Sequence, residues 1–305
     1  MLAFTLKRLG LAVLVALTVS ALSFSLLYLS GDPAAAIAGE GASSADIEAV
    51  RKLYGLDRAF VVQYADWLLH ALRGDFGQSY YFKMPVSQLI SERLPITMLL
   101  GVCGISFALL TAIPLGVVAA IRPNSFIDRT ALLLSVMGQA MPSFWFGLVL
   151  IVIFSVQLNW LPPSGTGSWK SFVMPTIVLG YYAMPAIMRM TRAGMLEVLN
   201  ADYVRTARAK GAGEWRVLFK HALRNAVVPV VSLAAVQMGF MLSGSIVVES
   251  IFALHGAGYL AWQSIGRNDL PTVQALILIF AGFYIVFTFL SDLANAWLDP
   301  RIRVS

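Results

Sequence analysis

The sequence predicts an all-α, polytopic membrane protein with six transmembrane helices. Three observations predict it. Apolar residues make up 58% of the 305 positions and charged residues only 12%, against about 45–50% and about 25% in soluble domains. Lipid can solvate that much apolar surface; water cannot. The apolar residues are gathered into six runs near the length that crosses a bilayer, and the lysines and arginines between those runs are distributed asymmetrically, as membrane topology requires.

Lys7 and Arg8 precede the first run, Leu9–Leu29. It exceeds the about 7–15 residues of a cleavable signal's apolar core, so it is expected to be the first span, within a first unit of residues 1–29. Residues 30–93 form a second unit. Gly31-Asp32-Pro33 stops the helix, and Asp46, Glu48, Asp57, Asp66 and Asp75 all fall in this stretch. Asp46–Tyr54 and Val61–Leu72 have helical apolar spacing, with Ile47, Val50, Leu53 and Tyr54 on one side. A small extracytoplasmic region of short helices is expected, too small for an enzymatic domain. Residues 94–305 then form a five-helix core, with spans at Leu94–Ile121, Thr130–Leu158, Phe172–Met188, Ala226–Val248 and Thr272–Leu290. The run Thr130–Leu158 is long for a bilayer of ~30 Å and contains Pro142, so a tilt or break is expected there. The next span holds Pro175 and Pro185, and the one after it Pro229.

Orientation follows from the cations. With the N-terminus inside, the inner segments hold 14 of the 22 Lys and Arg residues, while the two short outer loops hold only Lys170 and Arg267. The other six lie in the long 30–93 segment, where charge bias has little force. Both termini are therefore expected in the cytoplasm. The net charge of +6 is largely this topological signal, and no nucleic-acid partner is needed to explain it.

The spans exclude several functions. From Leu94 to Ile121, Thr130 to Leu158, Phe172 to Met188 and Ala226 to Val248 there is no Asp, Glu, Lys, Arg or His. Ion-coupled transporters place ionisable groups at mid-membrane, and intramembrane hydrolases need a nucleophile with a base or metal. No Gly-Lys-Ser/Thr phosphate loop occurs, so any ATP hydrolysis must happen on a partner. Cys103 is alone in an apolar run, and His70, His221 and His255 are scattered, which argues against metal, catalytic or cofactor sites.

The most patterned cytoplasmic stretch is 195–225. Leu199, Tyr203 and Thr206 share a helical face with Ala207 beside them, and Gly211 and Gly213 suit a helix end and turn. Leu218 and Leu223 begin a second amphipathic helix that runs into the fifth span.

This loop resembles that of the integral membrane subunits of ATP-binding-cassette importers. Those carry a Glu-Ala-Ala segment ending at a glycine; here Arg205-Thr206-Ala207 and Gly211 occupy the corresponding positions. The departures at Arg205 and Thr206 fit the peptide/nickel branch, which Tyr203–Gly211 and His221–Ala226 resemble throughout. The resemblance extends along the chain through Gly31-Asp32-Pro33, Tyr54–Asp57, Gln63-Tyr64 with Trp67, Gly74–Ser79, Pro85-Val86, Arg93-Leu94-Pro95 with Thr97, Gly244–Glu249, Ile251-Phe252 and Leu298–Arg303. Relatives usually have Pro-Gly where this chain has His255-Gly256, and often a proline after Leu56-Asp57.

The resemblance implies a type I importer-like transmembrane domain in a bacterial cytoplasmic membrane. It implies a half-pore paired with a second, homologous permease. Two cytoplasmic ATPases, which carry the ATP and Mg, and an extracytoplasmic substrate-binding protein complete the assembly. On this alignment Asp202, Tyr203, Arg205, Thr206, Ala207, Arg208, Ala209, Lys210 and Gly211 would couple to the ATPases. Polar or soft residues near the spans, namely Gln139, Met141, Gln237, Met238, Ser243, Ser245 and Glu249, are candidates to line the pore; hydrogen bonding between helices is the other reading for the glutamines. Peptides lead as cargo, because a pore without fixed charge suits zwitterionic substrates of varied side chain. Nickel or glutathione import within the same family, a secondary transporter and a structural membrane anchor are the alternatives.

Overall fold

In the computed structural model residues 2–29, 31–39 and 41–298 are described; the tail motif beyond Leu298, with Arg301 and Arg303, lies outside them. Among the described residues the chain is built from helices and contains no named strand, only an isolated antiparallel bridge between Gln78 and Pro85. Among the described residues five helices are long and apolar enough to cross a membrane: Phe4–Leu26, Val86–Ile121, Trp169–Leu199, Val228–Ile251 and Leu270–Ala296. The remaining apolar run, Thr130–Leu158, is divided.

α1 (Leu2–Leu29) starts before Lys7 and Arg8, earlier than the apolar run alone suggests. α2 (Pro33–Ala38) follows at once. Pro33, expected only as a stop, sits in its first turn, where its missing N–H costs nothing, and Asp32 caps that turn. α3 (Ser44–Leu53) and α4 (Phe60–Leu72) match the two short outer helices within two residues at each end. The apolar side of α3 has no buried residue, and Leu53 and Tyr54 are exposed. Arg58, at the position where relatives often have proline, bonds the Gly55 carbonyl at 3.1 Å and Asp66 at 2.6 Å, and so links the turn at Gly55 to α4.

α5 (Val86–Ile121) is 36 residues long, about 54 Å of helix against a hydrocarbon layer of about 30 Å. It begins eight residues before the expected Leu94. The early start is stabilised by tertiary packing: Val86, Leu89 and Ile90 join Ala257, Leu260 and Ala261 in one buried apolar cluster. Pro95 and Pro114 are absorbed inside α5.

The third apolar run becomes α6 (Phe126–Ala140), a break at Met141–Pro142, α7 (Ser143–Leu150) and a π-helical continuation Ile151–Gln157. The cause is local. A proline disfavours the helical region in the residue before it, and Met141 is extended at φ −85°, ψ 127°.

A 3-10 turn, Trp169–Phe172, leads into α8 (Val173–Leu199), which runs eleven residues past the expected end at Met188. α5 and α8 form the most extensive helix pairing in the molecule. Glycines bring their backbones together: a Cβ at Gly180 would lie 2.5 Å from the Gly104 carbonyl oxygen, and one at Gly116 2.7 Å from the Thr191 Cβ. After α8 come α9 (Asp202–Ala209), α10 (Glu214–Arg216), a π-helical stretch Val217–Leu223, α11 (Arg224–Ala226) and α12 (Val228–Ile251). The outer loop expected after the fifth span holds α13 (Ala257–Gly266), and α14 (Leu270–Leu298) completes the described chain.

Polar clasps join the lipid-embedded helices, where such bonds contribute of order 1 kcal/mol. Ser232 of α12 bonds Asn295 of α14, and Ser291 donates to the Ser232 carbonyl at 3.0 Å. Gln274 donates to the Ser23 carbonyl of α1 at 3.3 Å. On the opposite end of α14, buried Asp269 accepts from Ser79 Oγ at 2.5 Å, the Tyr80 N–H at 2.8 Å and Thr272 Oγ1 at 2.7 Å. That carboxylate holds the strap of residues 79–80 against the start of α14.

Candidate functional site

α9 is a two-turn helix standing outside the spans. Val204 is its anchor: it is 0% exposed, while Asp202, Tyr203, Arg205, Thr206, Arg208, Ala209, Lys210 and Gly211 are all exposed. Ala207 is half-buried, one turn from Val204. Ala207 thus lies at the edge between the exposed face of α9 and the side anchored by Val204. Val204 was missed, although a lone valine among Asp, Arg, Thr and Ala was the available signal.

Both ends of α9 are defined by the backbone. Ala201 caps its start without a side-chain bond. At the other end Gly211 takes φ +80°. The Gly211 N–H donates to the Arg208 carbonyl at 2.9 Å and the Ala212 N–H to the Ala207 carbonyl at 3.2 Å. These two bonds are the Schellman arrangement that a positive-φ residue completes. Arg208 reaches across the turn to Glu214, Nε to Oε1 at 2.9 Å and Nη2 to Oε2 at 3.3 Å, so it is partnered within the chain. The pair is exposed, and contributes about 0–1 kcal/mol. Tyr203 OH accepts from Asn225 Nδ2 at 2.9 Å, which ties α9 to α11. Arg205 makes only a loose contact with Asp202 at 3.5 Å. The outward surface of α9 is thus Asp202, Arg205, Thr206 and Ala209, with Lys210 beside them.

A part-buried ion pair joins α8 to α6. Arg192 of α8 donates from Nε to Asp128 Oδ1 and from Nη2 to Asp128 Oδ2, both at 2.7 Å. Asp128 also accepts from the Asn124 N–H at 2.8 Å. Its side chain is 2% exposed and that of Arg192 22%. The Arg192 guanidinium holds the Asp128 carboxyl below its ordinary range despite burial. The two residues are 64 positions apart, and sequence offered no signal for the pairing.

The expected lining residues separate into two groups. Gln139 is exposed next to the break and accepts two long contacts, 3.4 Å each, from Arg189; Met141 is the extended residue of the break and is half-buried. Gln237 is half-buried and Ser243 exposed, on the side of α12 that also carries exposed Phe240, Gly244 and Val247. Met238, Ser245 and Glu249 are buried inside the chain itself, which corrects their reading as lining residues. α12 is apolar nearly all round, so its sequence gave no phase from which to choose a face.

Glu249 holds α13 in place. Its Oε1 accepts from Thr97 Oγ1 of α5 at 2.7 Å and its Oε2 from the Tyr259 N–H at 2.8 Å, while Thr97 accepts from the Ala257 N–H at 2.8 Å. A carboxylate is favoured at a helix N-terminus, where free N–H groups and the dipole point at it. Gly256 leaves room for it, since a Cβ there would come within 2.6 Å of Thr97 Oγ1. The departure at His255 is accommodated: its carbonyl accepts from Arg93 at 3.2 Å and its ring packs edge-on against Tyr259.

Comparison with known proteins gives one answer. A family model described as the binding-protein-dependent transport system inner membrane component matches residues 112–304, and the model for the N-terminal part of such membrane components matches residues 1–101. A protein of Brucella abortus (strain 2308) named for a peptide transport system permease is 39% identical over 312 residues, with 99% of each chain covered. The glutathione transport system permease protein GsiC of Salmonella typhi is 40% identical over 304 residues, again with 99% of each chain covered. Among solved structures, a chain of the MetNI methionine ABC transporter in an inward-facing form matches with a TM-score of 0.57 at 19% identity, covering 70% of this chain and 97% of that one. At that identity the likeness concerns the fold alone.

Proposed function

The chain belongs to the family of binding-protein-dependent transport system inner membrane components, and on that premise we propose that it forms half of the translocation pathway of an ATP-driven importer of peptides. A second, similar permease would complete the pathway, one of two cytoplasmic ATPases would dock on α9 and the other on the matching helix of that second permease, and an extracytoplasmic binding protein would deliver cargo. ATP and Mg would reside on the ATPases; this chain would contribute no covalent step.

The observation that carries the reading is α9. An eight-residue helix with one buried side chain, an outward face of Asp202, Arg205, Thr206 and Ala209 and a fixed glycine turn is a surface built to be gripped. It follows α8, a 27-residue helix, after only Asn200 and Ala201, so force on α9 acts on a rigid lever. The pathway would run past the break at Gln139–Met141 and the side of α12 that carries Gln237 and Ser243. Irregular backbone at membrane depth is tolerated where it is buried or lines a water-filled cavity. The binding protein would meet the outer platform formed by residues 30–93 and the loop at 249–258. Peptide cargo is supported by the names of the relatives, one a peptide and one a glutathione permease, glutathione being itself a small peptide.

Purification of the tagged chain from its native membrane, with mass spectrometry of co-purifying subunits and bound ligand, tests the reading. Two ATPases, a second permease and a peptide are expected, with ATP turnover confined to fractions that contain the ATPases. Recovery of the chain alone, together with cargo uptake that needs no ATP, would overturn it in favour of a secondary transporter.

The proposed orientation has its own test. In a Cys103→Ser background, Ser44→Cys and Ser87→Cys are expected to react with an impermeant thiol reagent in intact cells, and Ala212→Cys only after permeabilisation. The reverse pattern would invert the topology.

A further inference from the structure

The pair Asp128–Arg192 is fixed too well for an incidental surface contact. It has two bonds of 2.7 Å, a nearly inaccessible carboxylate and a third bond from the Asn124 N–H. Its position in the fold gives it consequences. Arg192 lies seven residues before the end of α8, the helix that leads into α9. That end of α8 is itself braced, since a Cβ at Gly194 would stand 2.8 Å from the Ala226 carbonyl of α11. Asp128 lies in the first turn of α6, and α6 ends at the break before Pro142. Both sides of the break touch α8, and α7 is held by the end of α12 as well. α6 is bound to α8 by the ion pair and by Tyr181 OH, which donates to the Leu134 carbonyl at 3.0 Å. α7 packs against the end of α12, where a Cβ at Gly147 would lie 3.3 Å from the Phe252 ring and 3.5 Å from Ile251, and it also meets α8, the Phe146 and Tyr181 rings standing 5.1 Å apart.

We infer that Asp128 and Arg192 are positioning residues that make α6 move with α8 and α9, with the Met141–Pro142 break as the hinge at which α6 swings relative to α7. The inference rests on the importer reading above. Movement of α9 would reach the Gln139–Met141 segment through this strut, so that hydrolysis on the ATPases and opening of the pathway stay linked. Without the strut α9 could still be gripped and moved, but α6 would lag.

The experiment uses the assembled complex in proteoliposomes and reads cargo uptake per ATP hydrolysed. Asp128→Asn and Arg192→Gln are expected to retain the ATPases and their hydrolysis while uptake per ATP falls about tenfold, a coupling loss of ordinary size. Replacing both residues by Cys should give the same uncoupling, and bridging the two thiols with a short bis-methanethiosulfonate reagent should restore uptake; a merely structural role would not respond to that bridge. Spin labels remove dependence on disruptive variants. In a Cys103→Ser background, the distance between Arg129→Cys and Asn200→Cys should stay constant between nucleotide-free and ATP-trapped complexes, while that between Arg129→Cys and Trp145→Cys should change. Wild-type coupling in both single variants, or the opposite pattern of distances, overturns the strut and leaves the importer reading intact. Absence of ATP-driven uptake with the wild-type chain would overturn the importer reading, and the strut with it.

Discussion

Gly211→Val is expected to leave the chain inserted in the membrane and to abolish both ATPase capture and uptake. The reason is backbone conformation alone, because no atom lies within 4 Å of where a Cβ would sit. Gly211 holds φ +80°, a region that costs an ordinary residue about 1–2 kcal/mol and a β-branched one more. That cost falls on a short element. Eight isolated residues are far below the about 12–15 at which a helix begins to persist in water. α9 has no side-chain cap at its start, so Val204, the Tyr203–Asn225 bond and the two bonds at the Gly211 turn are what hold it. Relief of the strain would release the Ala207 and Arg208 carbonyls, and the exposed Arg208–Glu214 pair is too weak to substitute. Gly211→Asn is the control, since Asn tolerates positive φ; it should keep most uptake, with Gly211→Ala between the two. Pull-down of the ATPases and radiolabelled uptake, each normalised to the amount of chain in the membrane, read the result. Wild-type behaviour of Gly211→Val in both assays would make this loop a simple linker.

How much of this was legible in advance differs from element to element. The spans were visible as apolar runs because lipid rewards apolar composition directly. Their true ends were not. α5 begins at Val86 because α13 covers its first turn, and α8 continues to Leu199 because α11 lies against Gly194; neither support has a local signature. The break at Pro142 was legible, since a proline acts on its own neighbours. α9 and its glycine turn were legible from motif resemblance to importer permeases, a family to which the chain belongs. The physics added what the motif omitted: Val204 as anchor, Ala207 at the edge of the exposed face and Arg208 already paired. Glu249 was misplaced for a different reason. A polar residue in an apolar helix signals a partner or a pathway equally well, and only the fold shows that its partners are Thr97 and the start of α13. Asp128 and Arg192 are the limiting case, two charges 64 positions apart that meet through helix packing alone.

Gly180→Val is expected to have the largest effect on the molecule itself. Apolar helices gain nothing from leaving lipid for one another, so their association depends on close van der Waals packing and small residues. α5 and α8 show the device along their length: Gly104, Ala108, Ala112 and Gly116 on one helix, Gly180, Ala183 and Thr191 on the other, all buried. Gly180 is the tightest point. A Cβ there would lie 2.5 Å from the Gly104 carbonyl oxygen and 2.7 Å from Phe107 Cδ1. The phenyl ring could turn aside, but the carbonyl belongs to a helix backbone and cannot, so the helices must separate. Overpacking in a core costs about 1–3 kcal/mol, and separation here would also loosen contacts on either side of the site. Insertion should survive, because valine is apolar and the span keeps its length. Thermal stability in detergent and the amount of folded chain recovered should fall sharply, with Gly180→Ala intermediate. Gly282→Ala is the matched control: it lies within α14 with no atom near its Cβ, so it should be neutral or slightly stabilising through better helix propensity. Fluorescence-detected size-exclusion after graded heating would measure all three. Equal melting of Gly180→Val and Gly282→Ala would mean that the α5–α8 pairing yields without cost, and that this close approach does not hold the helices of the chain together.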